Sequence, residues 1–204
     1  MFCLGSDPTE RKNLSEKELL KLADDYTEMI LSLRDLQQVT VCGINGETSS
    51  GGVELALACD LIFTTDKAQF NFHEVKYSFI KGGGLSKWLS KRLGASVAKE
   101  CLFQNEGISG KDASKIGFSN KNSSVNPHGD EAFVQALACA KDIVNKAPLA
   151  IKMIKYGMNK LNTTETMEGL AIEEQLYKKI IPSNDRAEGI RAFRDKVDPR
   201  FKGN

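Results

Sequence analysis

No stretch of this 204-residue chain approaches the ~20 consecutive apolar residues that span a bilayer, so a membrane helix is not its organising element. The opening MFCLGSDPTE also lacks the basic region and apolar run of a secretory signal. Charge of either sign is not in excess: 28 Lys+Arg against 27 Asp+Glu leave a net charge of +1. That balance excludes the sequence-wide basic surplus of a dedicated nucleic-acid binder. With two histidines and five widely spaced cysteines (Cys3, Cys42, Cys59, Cys101, Cys139), the chain has neither a CxxC metal motif nor an even disulfide framework. A reducing compartment, cytoplasmic or mitochondrial, is the expectation, with no metal. What is present is ordinary for a globular domain: 41% hydrophobic and 27% charged residues with 17 glycines.

Ser15 and Glu18 form a capping box, and Leu19, Leu22, Tyr26, Met29, Ile30 and Leu33 then recur at helical spacing. Val39 to Ile44 reads as a short buried strand that stops at the turn pair Asn45-Gly46. After Ser49-Ser50-Gly51-Gly52 comes a helix, residues 53–59, apolar on every side except at Glu54. Residues 61–64 and the alternating Phe70 and Phe72 read as further strands. Beyond a glycine turn at 82–84, helical period or caps mark 85–93, 96–103, 110–116, 130–146, 149–161, 164–180 and 185–196, with Gly94 and Gly117 as C-terminal caps. The alternation of helix and strand predicts an α/β layer with right-handed crossovers over residues 1–118. The polar stretch 119–129 reads as a linker and 130–204 as a helical region. Met1 to Leu4 resembles the end of a buried strand.

A carboxylate inside an apolar helix is costly to keep charged without partners, so Glu54 is either capped or paired structurally, or it is chemical. Glu74, at a strand end, reads on its own as a solvated surface residue. Gly51 and Gly52 either permit close packing or let a ligand oxygen approach the positive end of the helix dipole.

The segment INGETSSGGVELALACDLIFTTDKAQFNFHEV resembles the signature of the crotonase, or enoyl-CoA hydratase/isomerase, superfamily. FCLGSD is similar to that family's oxyanion loop, ISGKDASKIGF to its Ile-Ser-Ala stretch, and NDRAEGIRAFRDKVDPRF to its C-terminal motif. The resemblance implies a crotonase-like β-β-α superhelix core followed by a helical C-terminal trimerisation region. It implies an acyl-CoA substrate within fatty-acid metabolism, no further cofactor because CoA belongs to the substrate, and assembly as a homotrimer or homohexamer. The backbone N–H groups of Ser6 and Gly51 then form the oxyanion hole, Glu54 acts as base towards water, and Glu74 supplies a proton to the α-carbon. Retention of both glutamates favours a hydratase. A Δ3,Δ2-enoyl-CoA isomerase, another acyl-CoA lyase, or a weakly active oligomeric CoA-binding member are the alternatives.

Several positions depart from the family pattern: Glu47-Thr48-Ser49-Ser50 before Gly51, His73 in the usual Pro position, Lys81 in another Pro position and Leu85 in a Gly position. His73 is expected to be an ordinary polar neighbour of Glu74. The strand-helix-strand unit that precedes the oxyanion loop in the family is expected to be absent, with an unpaired sheet edge as the consequence. Lys81, Lys87, Lys91 and Arg92 read as a solvated face, so nucleic acid is not the expected partner. The apolar faces of 151, 154 and 158 and of 170, 172 and 176 are expected to serve association or internal packing.

Overall fold

The computed structural model describes residues 1–11, 13–77, 83–161 and 166–204. The expectations for Lys81, for the start of the glycine turn at Gly82 and for a helix start at Thr164 lie outside these residues. Two compact units are present, one comprising 1–36 and 40–138 and the other 37–39 and 139–204.

In the first unit, α1 (Glu16–Arg34) begins at the Ser15 capping box, with the Ser15 hydroxyl accepting from Glu18 N–H and the Glu18 carboxylate from Ser15 N–H. The chain then alternates between two small sheets. Strand β1 (Val41–Ile44) lies in one sheet and β2 (Glu47–Ser49) in the other, with Asn45-Gly46 between them. Helix α2 (Gly51–Ala58) leads back to β3 (Leu61–Thr65), parallel to β1 with Val41 opposite Leu61. Strand β4 (Gln69–Asn71) then returns to the second sheet, parallel to β2 with Thr48 opposite Phe70. One strand to each sheet and then a helix is the repeating unit, and it winds the chain into a ββα superhelix.

Helices α3 (Leu85–Leu93), α4 (Ala95–Gln104) and α5 (Gly110–Lys115) follow, with β5 (Ile108–Ser109) antiparallel to β4. The stretch read from sequence as a polar linker, 119–129, contains β6 (Lys121–Ser123), which closes the order β1-β3-β6. Its polar side chains make the attachment: Asn120 Oδ1 accepts from Ile62 N–H at 2.8 Å, and Asn122 donates to Asp66 at 2.7 Å. Helix α6 (Glu131–Val144) contains the division between the two units. The core gathers Ile44, Val53, Ile62, Leu89 and three phenylalanines, 70, 72 and 118. The rings of Phe70 and Phe118 sit 4.3 Å apart between centroids, and each fully buried phenylalanine contributes roughly 1.5–3 kcal/mol by transfer from water.

The second unit holds α7 (Pro148–Leu161), α8 (Thr166–Ile180) and α9 (Asn184–Asp195), the last capped by the Ser183 hydroxyl. Asp185, buried at the start of α9, accepts the N–H groups of Lys202 and Gly203 and so ties down the C-terminal tail. Of the apolar positions read from sequence here, Leu176 is buried, whereas Ile154, Met158 and Leu170 are more than half exposed. No described helix is long and apolar enough to cross a membrane.

Candidate active site

The site is organised around the start of α2. Ser50 precedes the helix with φ 49° and ψ −110°, donates its N–H to the Asn71 carbonyl at the end of β4, and accepts from Val53 and Glu54 N–H. Gly51 and Gly52 are the first helical residues, where backbone N–H groups have no intrahelical partner and the dipole is positive. The chain's first residues run beside this point. Phe2 N–H donates to Glu47 O, Cys3 bridges Thr48 in parallel, and Cys3 O accepts from Ser49 N–H at 2.9 Å. The strand end read at Met1 to Leu4 is therefore an added edge on β2.

Gly52 makes that approach possible. A Cβ at this residue would lie 2.0 Å from Cys3 O, inside any tolerable contact. Gly5, at φ 81°, then turns the loop towards Ser6. Ser6 and Gly51, the two residues assigned an oxyanion role from sequence, are thus carried by segments that touch at Cys3 and Gly52.

Glu54 lies in the first turn of α2, is fully buried, and presents Oε1 to Leu85 N–H at 3.1 Å. That N–H opens α3, whose own N-cap is Gly84 and supplies no side-chain bond. A carboxylate at a helix N-terminus is stabilised by the aligned peptide dipoles, so the structural expectation for Glu54, a backbone cap, is met by this contact. Gly83 packs against the same group: a Cβ there would lie 2.8 Å from Glu54 Cδ and Oε2 and 2.8 Å from Tyr26 Cε1. Leu85, flagged because the family has glycine there, turns its side chain into the hydrophobic core and offers only its N–H to Glu54.

Glu74 follows β4 by three residues and precedes a 3-10 turn, Val75–Tyr77. The expectation of a solvated strand-end residue does not hold, because Glu74 is only 7% exposed. Neither carboxylate oxygen has a hydrogen-bond partner among the described residues. A folded chain rarely buries a polar group in this state without a use for it. The link from Ser50 to Asn71 places the end of β4 next to the start of α2, so both glutamates belong to one corner of the first unit.

Two arginines of the first unit serve packing. Arg34 stacks 3.7 Å over the Trp88 ring and donates to Leu57 O, capping the last carbonyls of α2. Arg92, read from sequence as part of a solvated face, is half-buried and donates to Phe118 O at 2.7 Å, while Lys87 and Lys91 are exposed as expected. Burial lowers the guanidinium pKa of both arginines. All five cysteines are free, and contact with Cys59 together with burial pushes the Cys42 thiol far up. Among the described residues, no group of three or more His, Cys, Asp or Glu could hold a metal ion.

One residue at the site is not evident from sequence. Tyr26 looks like one more member of the apolar stripe of α1, yet its hydroxyl donates to Gly51 O at 2.8 Å. The only signal is a phenol where the pattern needs just an apolar ring.

The chain is similar to known proteins along its whole length. The family model described as enoyl-CoA hydratase/isomerase matches residues 1–204. The mitochondrial methylglutaconyl-CoA hydratase of Homo sapiens is 35% identical over 203 residues, covering all of this chain and 60% of that protein. The mitochondrial enoyl-CoA hydratase domain-containing protein 2 of Homo sapiens is 33% identical over 203 residues, covering all of this chain and 70% of its own length. The chain spans 60–65% of the length of the methylglutaconyl-CoA hydratases it matches in human, mouse and rat. Among solved structures, the enoyl-CoA hydratase from Bacillus anthracis superposes with a TM-score of 0.93 at 28% identity, over 100% of this chain and 77% of that one.

Proposed function

The chain belongs to the enoyl-CoA hydratase/isomerase family and has its crotonase-like fold, and from that premise we propose that it adds water across the double bond of a 2-enoyl-CoA thioester. The observation that carries this reading is the burial of both Glu54, in the first turn of α2, and Glu74, just beyond β4, one carboxylate held by a backbone N–H and the other without a partner among the described residues. Hydration needs one group to take a proton from water and another to give one to the α-carbon. Glu54 takes the proton as the water oxygen bonds to the β-carbon, and Glu74 delivers one to the α-carbon as the double-bond electrons move.

The electrons pass through the thioester, so its carbonyl oxygen gains negative charge. The N–H groups of Ser6 and Gly51 receive that charge, each preorganised donor contributing roughly 3 kcal/mol to the transition state. CoA belongs to the substrate, and this scheme uses no further cofactor. Assembly as a homotrimer or homohexamer through the second unit would cover the exposed Ile154, Met158 and Leu170. The expected compartment, cytoplasm or mitochondrion, accords with the mitochondrial names of the two human relatives.

The test is hydration of short and medium 2-enoyl-CoA thioesters by the wild type, Glu54→Gln and Glu74→Gln, with the same samples sedimented. Each variant is expected to lose ~10²–10⁴-fold in kcat, in protein that sediments as trimers or hexamers. Loss in only one variant points to isomerisation. A wild type that hydrates none of these thioesters refutes the reading.

A further inference from the structure

We propose that Tyr26 is a positioning residue for this reaction, its hydroxyl fixing Gly51 and its ring backing the Glu54 carboxylate. The inference rests on the hydratase reading and adds a residue from outside the motifs that carry it.

Gly51 is held from both sides. Before it, Ser50 N–H is bonded to Asn71 O at 3.0 Å; after it, its own carbonyl accepts the Tyr26 hydroxyl at 2.8 Å. The first bond ties it to β4, and the second ties it to α1, whose start is fixed by the Ser15 capping box. The peptide planes on either side of the one that carries the Gly51 N–H are thereby tied to two elements other than α2. A donor that must meet a developing oxyanion is effective only when it is already aimed, since reorientation during the reaction would consume what the bond returns.

The ring has a separate effect. Tyr26 Cε1 and the Glu54 carboxylate both come within 2.8 Å of the point where a Cβ of Gly83 would stand. The phenol edge, the Gly83 backbone and Leu85 N–H therefore surround one carboxylate. Tyr26→Phe keeps this wall and removes only the hydroxyl, so it isolates the link to Gly51.

The experiment compares the wild type with Tyr26→Phe in three measurements. These are kcat and KM for enoyl-CoA hydration, thermal melting, and the absorption red shift of a bound arylacryloyl-CoA, a conjugated thioester whose spectrum moves to longer wavelength as its carbonyl is polarised. The expected result is a ~10-fold lower kcat with KM changed by less than ~2-fold, a melting temperature lowered by no more than ~2–4 °C and a smaller red shift. An unchanged kcat together with an unchanged red shift overturns the proposal. So does a loss of kcat matched by equal losses of thioester affinity and melting temperature, which a merely structural hydroxyl would produce. A wild type that shows no red shift also overturns it. If the wild type hydrates no substrate but shows a red shift that shrinks in Tyr26→Phe, the hydratase reading fails and the role of Tyr26 stands.

Discussion

Replacing Gly52 by alanine sets two effects of opposite sign against each other. Alanine is favoured over glycine inside a helix by ~1 kcal/mol, so propensity alone predicts stabilisation. The structure predicts the reverse, because the new Cβ would stand 2.0 Å from Cys3 O, 2.8 Å from Cys3 C and 2.9 Å from Cys3 Cβ. An ordinary carbon–oxygen contact is about 3.3 Å, so the Cys3 carbonyl must retreat by ~1.3 Å. That oxygen accepts Ser49 N–H at 2.9 Å, and such a shift breaks the bond. The lost hydrogen bond costs ~1 kcal/mol and overpacking a buried site a further ~1–3 kcal/mol. The clash wins by ~1–3 kcal/mol once propensity is subtracted. Activity suffers more, since the retreating carbonyl carries the Ser6 loop with it, and a misplacement of ~1 Å costs about 10²-fold. The assay is a urea titration paired with kcat for enoyl-CoA hydration. Gly189→Ala in α9 is the control: its Cβ would meet only Phe201, at 3.7 Å and beyond, so it should gain up to ~1 kcal/mol with activity intact. If Gly52→Ala is as stable as the wild type and retains its kcat, the close approach of loop and helix is refuted.

Ser50→Gly is expected to stabilise the protein by ~1 kcal/mol, because φ 49° and ψ −110° match the first central position of a type II′ turn, where glycine is at home. Equilibrium unfolding reads this, and a net loss of stability would show the backbone there to be unstrained. At the second unit, pairing with Arg191 and the N–H of Arg200 depress the Glu188 carboxyl to about 2. Its unfolded value is about 4.3, so its contribution is fully present above that pH and is lost as pH falls towards 2. The denaturation midpoint should therefore fall less steeply between pH ~5 and ~2 in Glu188→Gln than in the wild type. The difference should shrink with added salt, since the pair is exposed to solvent. Parallel slopes at low salt would refute the assignment.

What the sequence discloses and what it conceals divide along locality. Helix α1 is legible because Ser15, Glu18 and the apolar stripe act within one turn or along one face, and α3 ends at Gly94 as read. Strand β2 is not legible: Glu-Thr-Ser has no strand pattern and is extended only because β4 and Cys3 pair with it from 22 residues later and 45 residues earlier. Strand β6 is concealed for the same reason, its Lys-Asn-Ser attached by asparagine side chains to a strand nearly 60 residues away. At the site, Glu54 announces itself as a charge in an apolar helix, but its partner, Leu85 N–H, is a backbone group 31 residues on and leaves no trace in composition. Glu74 shows the opposite failure. A strand-end glutamate looks solvated, and only the folded neighbourhood buries it.

The cap that Glu54 lends to α3 bears on how such a chain can drift over generations. Leu85 N–H needs an oxygen acceptor, and a glutamine at 54 would still offer one, whereas proton transfer to and from water needs a carboxylate. One base change in a glutamate codon could therefore silence the chemistry while leaving the helix its anchor. A descendant altered in this way would remain folded and heritable, available to selection for some purpose other than catalysis. An aliphatic residue at the same place would forfeit anchor and proposed reactivity together, so at position 54 the gentle route to silence runs through glutamine and the aliphatic routes are steep.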